Sequence, residues 1–330
     1  MNIIKTRKIN GNIDLRHIMQ NYGIIIGFVL MFIIFSVTAD NFFELQNFLI
    51  ILRQVSCIGI ASLGVGMLII MNAIDLSVGS MFALTGVCAG LMVSTTATGK
   101  GMPAILAYAV GIATGVAFGA FNGIIIAKGK IPPFIVTMGT MSIARGLALI
   151  LAHGMPVGNF TDEFNYLGTS FIDPWKLVPW TVVIYVLVIL LIDFVLKKRP
   201  FGRHIYAVGG NEEAARAAGI NVDAVKIKAY LLNGALLGFA GTLMASRLKS
   251  AAPALGAGYE LDAIAGCIIG GISFTGGLGN AWSAVLGATI IGTINNGMDL
   301  LGVDAFYKQI VKGLIIIIAV LIDRKRTGRA

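Results

Sequence analysis

Long apolar runs separated by short polar stretches form the pattern of this 330-residue chain. Many of the runs reach about 20 residues, the length that a helix needs to cross a hydrocarbon core about 30 Å thick. Runs of this length favour helices, which satisfy their own backbone hydrogen bonds inside a membrane. The pattern therefore predicts an all-α, polytopic transmembrane helical bundle of about ten spans in a single domain, residues 1–330. The predicted spans are 22–39, 48–72, 76–97, 104–127, 133–152, 179–196, 229–249, 259–275, 279–299 and 308–322.

One interruption of the apolar pattern, IDLSVGS at residues 74–80, predicts broken helices near the midplane. The glycines of the stretch 258–280 predict close helix packing and a tight reverse turn. Polar groups at membrane depth are costly unless they are paired or face a cavity, so they are candidates for lining a transport pathway. For Asp75 the alternative is a structural role as the N-cap of the third span. The candidate pathway residues are Asn72, Asp75, Ser77, Asn122, Glu260, Asp262, Asn295 and Asn296.

A weak similarity between the two halves of the chain predicts a two-fold internal repeat. The Asn-Gly pair at 122–123 matches the pair at 296–297, and an aromatic residue follows each. Asp75 likewise has a counterpart in Asp262. Two related halves around a midplane pathway are common in transporters.

Composition and charge support a membrane protein and predict its orientation. Hydrophobic residues make up 57% of the chain and charged residues 12%, whereas about a quarter of the residues of a soluble domain are charged. The net charge of +9 does not indicate nucleic-acid binding, because the basic residues lie at the ends of the spans. Seventeen of them fall on the predicted inner side and five on the outer side, which places both termini in the cytoplasm. The 42 glycines predict closely packed helices.

The longest hydrophilic segment, residues 197–228, is a predicted cytoplasmic loop with a short helix at its centre. Asn211 suits the N-cap of that helix and Gly219 its end. Glu212 and Glu213 suit the positive end of the helix dipole. Small alanine side chains cover the helix, so it could lie in a groove of another protein.

The longest predicted outer segment is the periplasmic loop 153–178. Its prolines interrupt helix at both ends, and its aromatic residues could lie along the membrane interface. The alternative function is a docking surface for an external partner.

The sequence contains no pattern of its own for catalysis or metal binding. The phosphate-binding pattern G-x-x-x-x-G-K-[ST] is absent. The histidines, cysteines and carboxylates show neither metal-ligand spacing nor a nucleophile with its base. We therefore expect no catalytic residue and no metal site. Arg53 and Arg145 lie inside spans and require carbonyl or carboxylate partners, which the sequence does not identify.

Four stretches of the chain carry a resemblance to a known family. They are IDLSVGS (74–80), GGNEEAARAAGINV (209–222), GYELDAIAGCIIGGISFTGGLG (258–279) and NNGMDLLGV (295–303). With these stretches in order, nearly the whole chain resembles the ribose-type permease subunits of bacterial ABC sugar importers, a group related to the branched-chain amino-acid permeases.

The resemblance implies a permease of the bacterial cytoplasmic (inner) membrane that imports a monosaccharide of the ribose or galactose class by alternating access. Its implied partners are two cytoplasmic ABC ATPase subunits, an extracytoplasmic sugar-binding protein and a second permease copy in a homodimer or pseudo-dimer. ATP and Mg²⁺ would be used by the ATPase subunits, and the chain itself would bind no cofactor. The residues that match the family's ATPase-coupling loop are Asn211, Glu212, Glu213, Ala214, Ala215, Arg216 and Gly219.

Two other functions stay open at this point. One is an ABC permease for another small solute, such as branched-chain amino acids, which would have the same architecture. The other is a self-sufficient carrier or channel. Buried charges are sparse in the spans, which disfavours a carrier coupled to protons or sodium ions.

Overall fold

The structure is a computed structural model that describes the backbone of residues 15–96 and 99–327 and the side chains of residues 26–96 and 99–321. Over these residues the chain is helical, with isolated β-bridges and no continuous strand, which confirms the all-α prediction. The basic residues of segment 1–14, which contribute to the predicted orientation, lie outside the described part. The helices are α1 (Leu15–Thr38), α2 (Leu45–Ile70), α3 (Val78–Val93), α4 (Ala104–Gly129), α5 (Pro133–Leu151), α6 (Asp162–Thr169), α7 (Trp180–Lys198), α8 (Pro200–Gly210), α9 (Glu212–Ala217), α10 (Val222–Leu248), α11 (Tyr259–Ile269), α12 (Ala281–Leu300) and α13 (Ala305–Thr327).

Several of these helices are suited to a membrane, so the protein is a multi-pass membrane bundle. Within the described residues, five are long and apolar enough to cross one, namely α2, α4, α5, α7 and α10. The α3 helix and residues 26–38 of α1 are shorter apolar helices. Each predicted span overlaps one helix. The count of ten crossings and the internal repeat remain predictions.

The predicted span 259–275 is shorter in the structure than the sequence suggested. The α11 helix ends at Ile269, because Gly271 has a φ of +101°, a conformation that only glycine adopts readily. With a rise of about 1.5 Å per residue, its length is roughly half the thickness of a hydrocarbon core. A second break, residues 71–77, separates α2 from α3. We call residues 71–77 the α2–α3 link and residues 270–280 the α11–α12 link.

The hydrophilic segment 197–228 is more helical than predicted. The α8 and α9 helices both lie within it, and α10 begins at Val222 rather than at residue 229. The early start has a local cause, since the side chain of Asn221 accepts the backbone N–H of Ala224 and caps the helix at 3.0 Å. Polar residues therefore form the first turns of α10, where the apolar pattern gives no signal.

The α10 helix is the centre of the bundle, and it packs most extensively against α4. Glycines allow this contact: a Cβ added to Gly115 would lie 2.1 Å from the Gly234 carbonyl oxygen. Likewise, a Cβ on Gly238 would lie 2.5 Å from the carbonyl oxygen of Gly111. The prediction that the glycines serve close helix packing is confirmed at this crossing.

The segment 153–178, which the sequence predicts to lie outside, contains the helix α6 and is not a simple interfacial loop. Phe164 is fully buried and Phe160 nearly so, against the predicted interfacial position of the loop's aromatic residues. Tyr166 and Trp175 are exposed, as an interfacial position requires. The hydroxyl of Ser246 in α10 donates to the Phe164 carbonyl at 2.7 Å and fastens the segment to the bundle.

Candidate functional site

The Asp75 carboxylate is buried in the α2–α3 link and is fully hydrogen-bonded on both oxygens. Its Oδ1 accepts the backbone N–H of Ser77 at 2.8 Å and the Ser77 hydroxyl at 2.6 Å. Its Oδ2 accepts the Nδ2 of Asn233, in α10, at 2.7 Å. Ser77 directly precedes α3, so Asp75 stabilises the turn that leads into this helix. The N-cap alternative had suggested that Asp75 binds amides in the first turn of α3. The structure shows no such hydrogen bond from these amides.

The α10 helix supplies two residues of this network that the sequence analysis missed. The hydroxyl of Tyr230 donates to the carbonyl of Ile74 at 2.9 Å, so it holds the α2–α3 link from the same side as Asn233. The Oδ1 of Asn233 is buried and has no partner among the described residues. It lies against Gly64, where an added Cβ would approach it to 2.4 Å. Asn233 is an amide within an apolar span, and that signal could have identified it.

A second buried cluster joins three helices around Asp262. The Nζ of Lys312 in α13 lies 2.8 Å from Asp262 Oδ2, and Asn295 Nδ2 in α12 donates to the same oxygen at 3.1 Å. The Asp262 side chain is 1% exposed. Two predicted pathway residues, Asp262 and Asn295, are therefore together, and Lys312 neutralises the carboxylate. The sequence analysis did not assign Lys312 a partner, because 50 positions separate it from Asp262.

The remaining predicted pathway residues lie in different surroundings. Asn296 donates to Asn47 Oδ1 at 2.8 Å, which connects α12 to the start of α2. Asn122 is buried in α4, and its Oδ1 has no partner among the described residues. Glu260 is half-buried, with its Oε2 beside Gly79 in the first turn of α3. Asn72 is exposed at the start of the α2–α3 link. The structure thus forms separate polar clusters from these residues.

The two arginines inside spans bind backbone carbonyls on other segments. Arg53 donates to the Thr169 carbonyl at 2.7 Å, and its guanidinium lies 4.3 Å from the centre of the Phe171 ring. Arg145 donates to the carbonyl of Leu255 at 2.9 Å. Of the alternatives left open for the arginines, the described residues therefore support carbonyl partners. Both arginines hold residues of the connecting segments against the bundle.

The local prediction for α9 is confirmed in its geometry. Asn211 Oδ1 accepts the Ala214 N–H at 2.9 Å, so Asn211 is the N-cap. Gly219 has a φ of +83°, and the Ile220 N–H donates to the Ala215 carbonyl, which is the usual pattern at a glycine-ended helix. Glu213 is exposed and forms no ion pair within the described part of the chain.

Ion pairs fasten α9 to the first turns of α10. Glu212 lies 2.8 Å from Lys226, and Arg216 lies 2.6 Å from Asp223 and 3.2 Å from Glu212. Burial opposes ionisation of Glu212, but the hydrogen bonds and charges of Lys226 and Arg216 outweigh it and lower the pKa of the carboxyl. The hydrogen bonds to Asp223 and Glu212 raise the pKa of Arg216. The network keeps α9 in a fixed position while its Glu213 side stays accessible.

These features define a class of protein: a polytopic helical membrane protein with two breaks, the α2–α3 link and the α11–α12 link, and a small exposed helix within its longest hydrophilic segment. Residues 47–320 match the model of the family described as the permease component of branched-chain amino acid transport systems. The chain belongs to this family. The sequence resemblance is thereby confirmed, and the protein is a permease component of a transport system.

Individual relatives are similar over nearly their full length. The chain is 41% identical to the ribose import permease protein RbsC of Bacillus subtilis, over 94% of this chain and 95% of that protein. It is 41% identical to the ribose import permease protein RbsC of Escherichia coli K12, over 92% and 93%. It is 36% identical to the L-arabinose transport system permease protein AraH of Escherichia coli K12, over 93% and 91%. No solved structure matches the chain significantly.

Proposed function

We propose that this protein is the membrane-spanning permease subunit of an ATP-driven, binding-protein-dependent importer of a monosaccharide. The observation that carries the proposal is the 41% identity to ribose import permeases over at least nine-tenths of both chains. Ribose is the first candidate substrate. Arabinose follows from the similarity to arabinose permeases. Galactose follows from two stretches that resemble galactose-type members, SFTGG (273–277) and KGLIIIIAV (312–320).

The α9 helix is the proposed contact with the ATPase subunits. The supporting observations are the small, exposed side chains of Ala214 and Ala217, the exposed Glu213, which has no ion pair among the described residues, and the fixed attachment of α9 to α10. A permease changes state only if its partner binds the two states differently, so a rigid, accessible helix suits this task. In this proposal residues 197–228 form the cytoplasmic coupling segment, and ATP with Mg²⁺ is bound by the partner subunits alone.

The proposed assembly contains two permease copies in the bacterial inner membrane, with both termini in the cytoplasm. The basic residues concentrate on the side of residues 197–228, which supports this orientation. The segment 153–178 then lies outside, where an extracytoplasmic sugar-binding protein would deliver the solute. Apolar side chains of α5 such as Ile135, Ile143 and Ile150 are exposed in the single chain, so they face lipid or the second copy.

The proposed pathway passes two broken spans, α2–α3 near Asp75 and α11–α12 near Asp262. Both carboxylates are hydrogen-bonded within the protein, so these two clusters offer the solute few unpaired charges. A weakly binding pathway suits a system in which a separate protein selects the sugar. Glu260 and Asn72 are the more accessible of the candidates.

Reconstitution into proteoliposomes tests this function. We expect uptake of labelled ribose, arabinose or galactose only when the chain is present with its ATPase subunits, its sugar-binding protein and ATP. Liposomes with the ATPase subunits but without this chain are the control. Uptake by this chain alone would contradict the proposal and indicate a self-sufficient carrier or channel.

A second candidate is import of branched-chain amino acids, which the description of the matching family favours. The same liposomes discriminate between the two. ATP-dependent uptake of leucine without uptake of any of the three sugars would replace the first proposal by the second.

A further inference from the structure

The backbones of three distant segments meet at one carbonyl group beside α8. The carbonyl of Ile70, the last residue of α2, accepts the N–H of Gly277 in the α11–α12 link at 2.8 Å. Gly209 of α8 packs on the same carbonyl, and a Cβ added to it would lie 1.8 Å from the oxygen. A Cβ on Gly276 would lie 2.8 Å from the Cβ of Asn72 and 2.7 Å from the Gly209 carbonyl oxygen. We call Ile70, Asn72, Gly209, Gly276 and Gly277 the glycine junction.

Only glycine permits this contact. The atoms that a Cβ on Gly209 would meet belong to backbone, which cannot rotate away as a flexible side chain can. Gly276 and Gly277 have φ values of +80° and +74°, which other residues adopt only with strain. Close-packed atoms are nearly incompressible, so a displacement of one segment must displace the others.

A side chain makes a second connection between α8 and the α11–α12 link. The hydroxyl of Tyr206 donates to the carbonyl of Gly279 at 2.8 Å. The glycine junction and this hydrogen bond together attach the C-terminal half of α8 to both breaks in the helical bundle.

The α8 helix is also joined to α9 by a connection of a single residue. Asn211 alone separates them, and its N–H donates to the Ala207 carbonyl of α8 at 3.1 Å. Its side chain caps α9 through Ala214. A movement of α9 therefore reaches Gly209 through one hydrogen-bonded residue, without a flexible loop.

The two links that meet at the junction lead to the buried polar clusters. The α2–α3 link continues from Ile70 to Asp75 and then into α3. The α11–α12 link connects α11, which carries Asp262, to α12. The junction is thus the place where α8, which leads through Asn211 into α9, contacts both broken spans at once.

We propose that the glycine junction transmits movement of α9 to both broken spans, so that it couples ATP hydrolysis by the partner subunits to opening of the pathway. The inference rests on the proposed role of α9 as the ATPase contact. Gly209 and Tyr206 are positioning residues in it, since their contacts are with the two links and not with a solute.

Neighbouring glycines of α8 offer a matched pair of variants. Gly209→Ala places a methyl group against the Ile70 carbonyl, whereas Gly210→Ala places one where no atom lies within 4 Å. Both positions are the last residues of the same helix, so the gain in helix propensity is shared. The full transporter is reconstituted with each variant, and three quantities are measured: association with the ATPase subunits, ATP hydrolysis, and sugar uptake.

For Gly209→Ala we expect normal association with the ATPase subunits and continued ATP hydrolysis. The amount of sugar imported per ATP hydrolysed should fall about tenfold, because the two broken spans no longer follow the movement of α9. Gly210→Ala should match the unmodified protein. An unchanged ratio in Gly209→Ala, or an equal loss in Gly210→Ala, would overturn the proposal. Loss of uptake only in proportion to lost ATPase association would also overturn it, since that indicates a packing role.

If Gly209→Ala does not insert or fold, the variant Tyr206→Phe tests the proposed coupling instead. It removes one hydroxyl and leaves the backbone contacts of the junction intact, and we expect the uptake per ATP to fall about threefold, because one of two attachments is lost. An unchanged ratio in a well-folded Tyr206→Phe protein would then refute the inference. Failure of the proposed function is distinguishable, since the unmodified protein would itself show no ATP-dependent uptake.

Discussion

The pair Lys312–Asp262 shows what a charged side chain requires inside a membrane protein. Lys312 lies on α13 and Asp262 on α11, and the amide of Asn295 completes the cluster. The sequence identified Asp262 and Asn295 as unusual polar residues at membrane depth, and it could not pair them with Lys312. Pairing depends on how three helices pack, and no short-range pattern encodes that arrangement.

Replacement of Lys312 by Met should destabilise the protein strongly. Asp262 would remain as a buried carboxylate without its counter-charge, and breaking such a pair costs about 3–5 kcal/mol. Thermal unfolding in detergent measures the effect. The double variant Lys312→Met/Asp262→Asn removes both charges and should recover most of the loss.

Lys308→Met is the matched control for this prediction. Lys308 pairs with Asp299, which is more than half exposed, and exposed pairs contribute only about 0–1 kcal/mol. Equal destabilisation by Lys308→Met and Lys312→Met would show that the buried position of Asp262 has no special importance.

The α9 helix shows that strong local signals predict a short element well. Its N-cap and its terminal glycine agree with the sequence analysis, because both depend on residues within one or two turns of each other. The surrounding helices were predicted less well. The α8 helix and the first turns of α10 are polar or amphipathic, and a pattern based on long apolar runs does not detect them.

Charge reversal at Glu213 tests the role of α9 as an ATPase contact. Glu213→Lys changes an exposed side chain that forms no ion pair with any described residue, so we expect normal folding and insertion. A positive charge near the N-terminus of α9 interacts unfavourably with the helix dipole, which should cost only about 0.3–1 kcal/mol of stability. Copurification with the ATPase subunits should be lost, and ATP-driven uptake with it.

Glu163→Lys provides the control for that measurement. Glu163 is the second residue of α6, as Glu213 is of α9, and it is likewise exposed, so the local effect on the helix is the same. It lies on the proposed outer side and should leave ATPase binding unchanged. Retention of the ATPase subunits by Glu213→Lys would remove α9 from the interface.

The bundle as a whole is arranged around α10, which packs on α4 through glycines and holds the α2–α3 link through Tyr230 and Asn233. One helix therefore supports both the core and the candidate pathway. In a membrane, close backbone approach provides much of the attraction between helices, since lipid offers no hydrophobic driving force for association.

Gly115→Ala should weaken the whole bundle, because its methyl group would lie against the Gly234 carbonyl at the α4–α10 crossing. Overpacking of this kind costs about 1–3 kcal/mol, and a lower midpoint of thermal unfolding in detergent would reveal it. Gly139→Ala in α5 meets no atom within 4 Å and should unfold at the same temperature or slightly higher. An unchanged midpoint in Gly115→Ala would contradict the close crossing.

The apolar pattern alone was sufficient to predict a helical membrane bundle, the approximate position of each long helix, and several of the polar residues that are buried in it. Those features depend on chain composition over one span, where the cost of exposing backbone or charge to lipid is decisive. The tertiary structure decided the partners: Asn233 for Asp75, Lys312 for Asp262, and Gly209 for the carbonyl of Ile70. Such contacts join residues far apart in sequence, and only the packing of the folded helices brings them together.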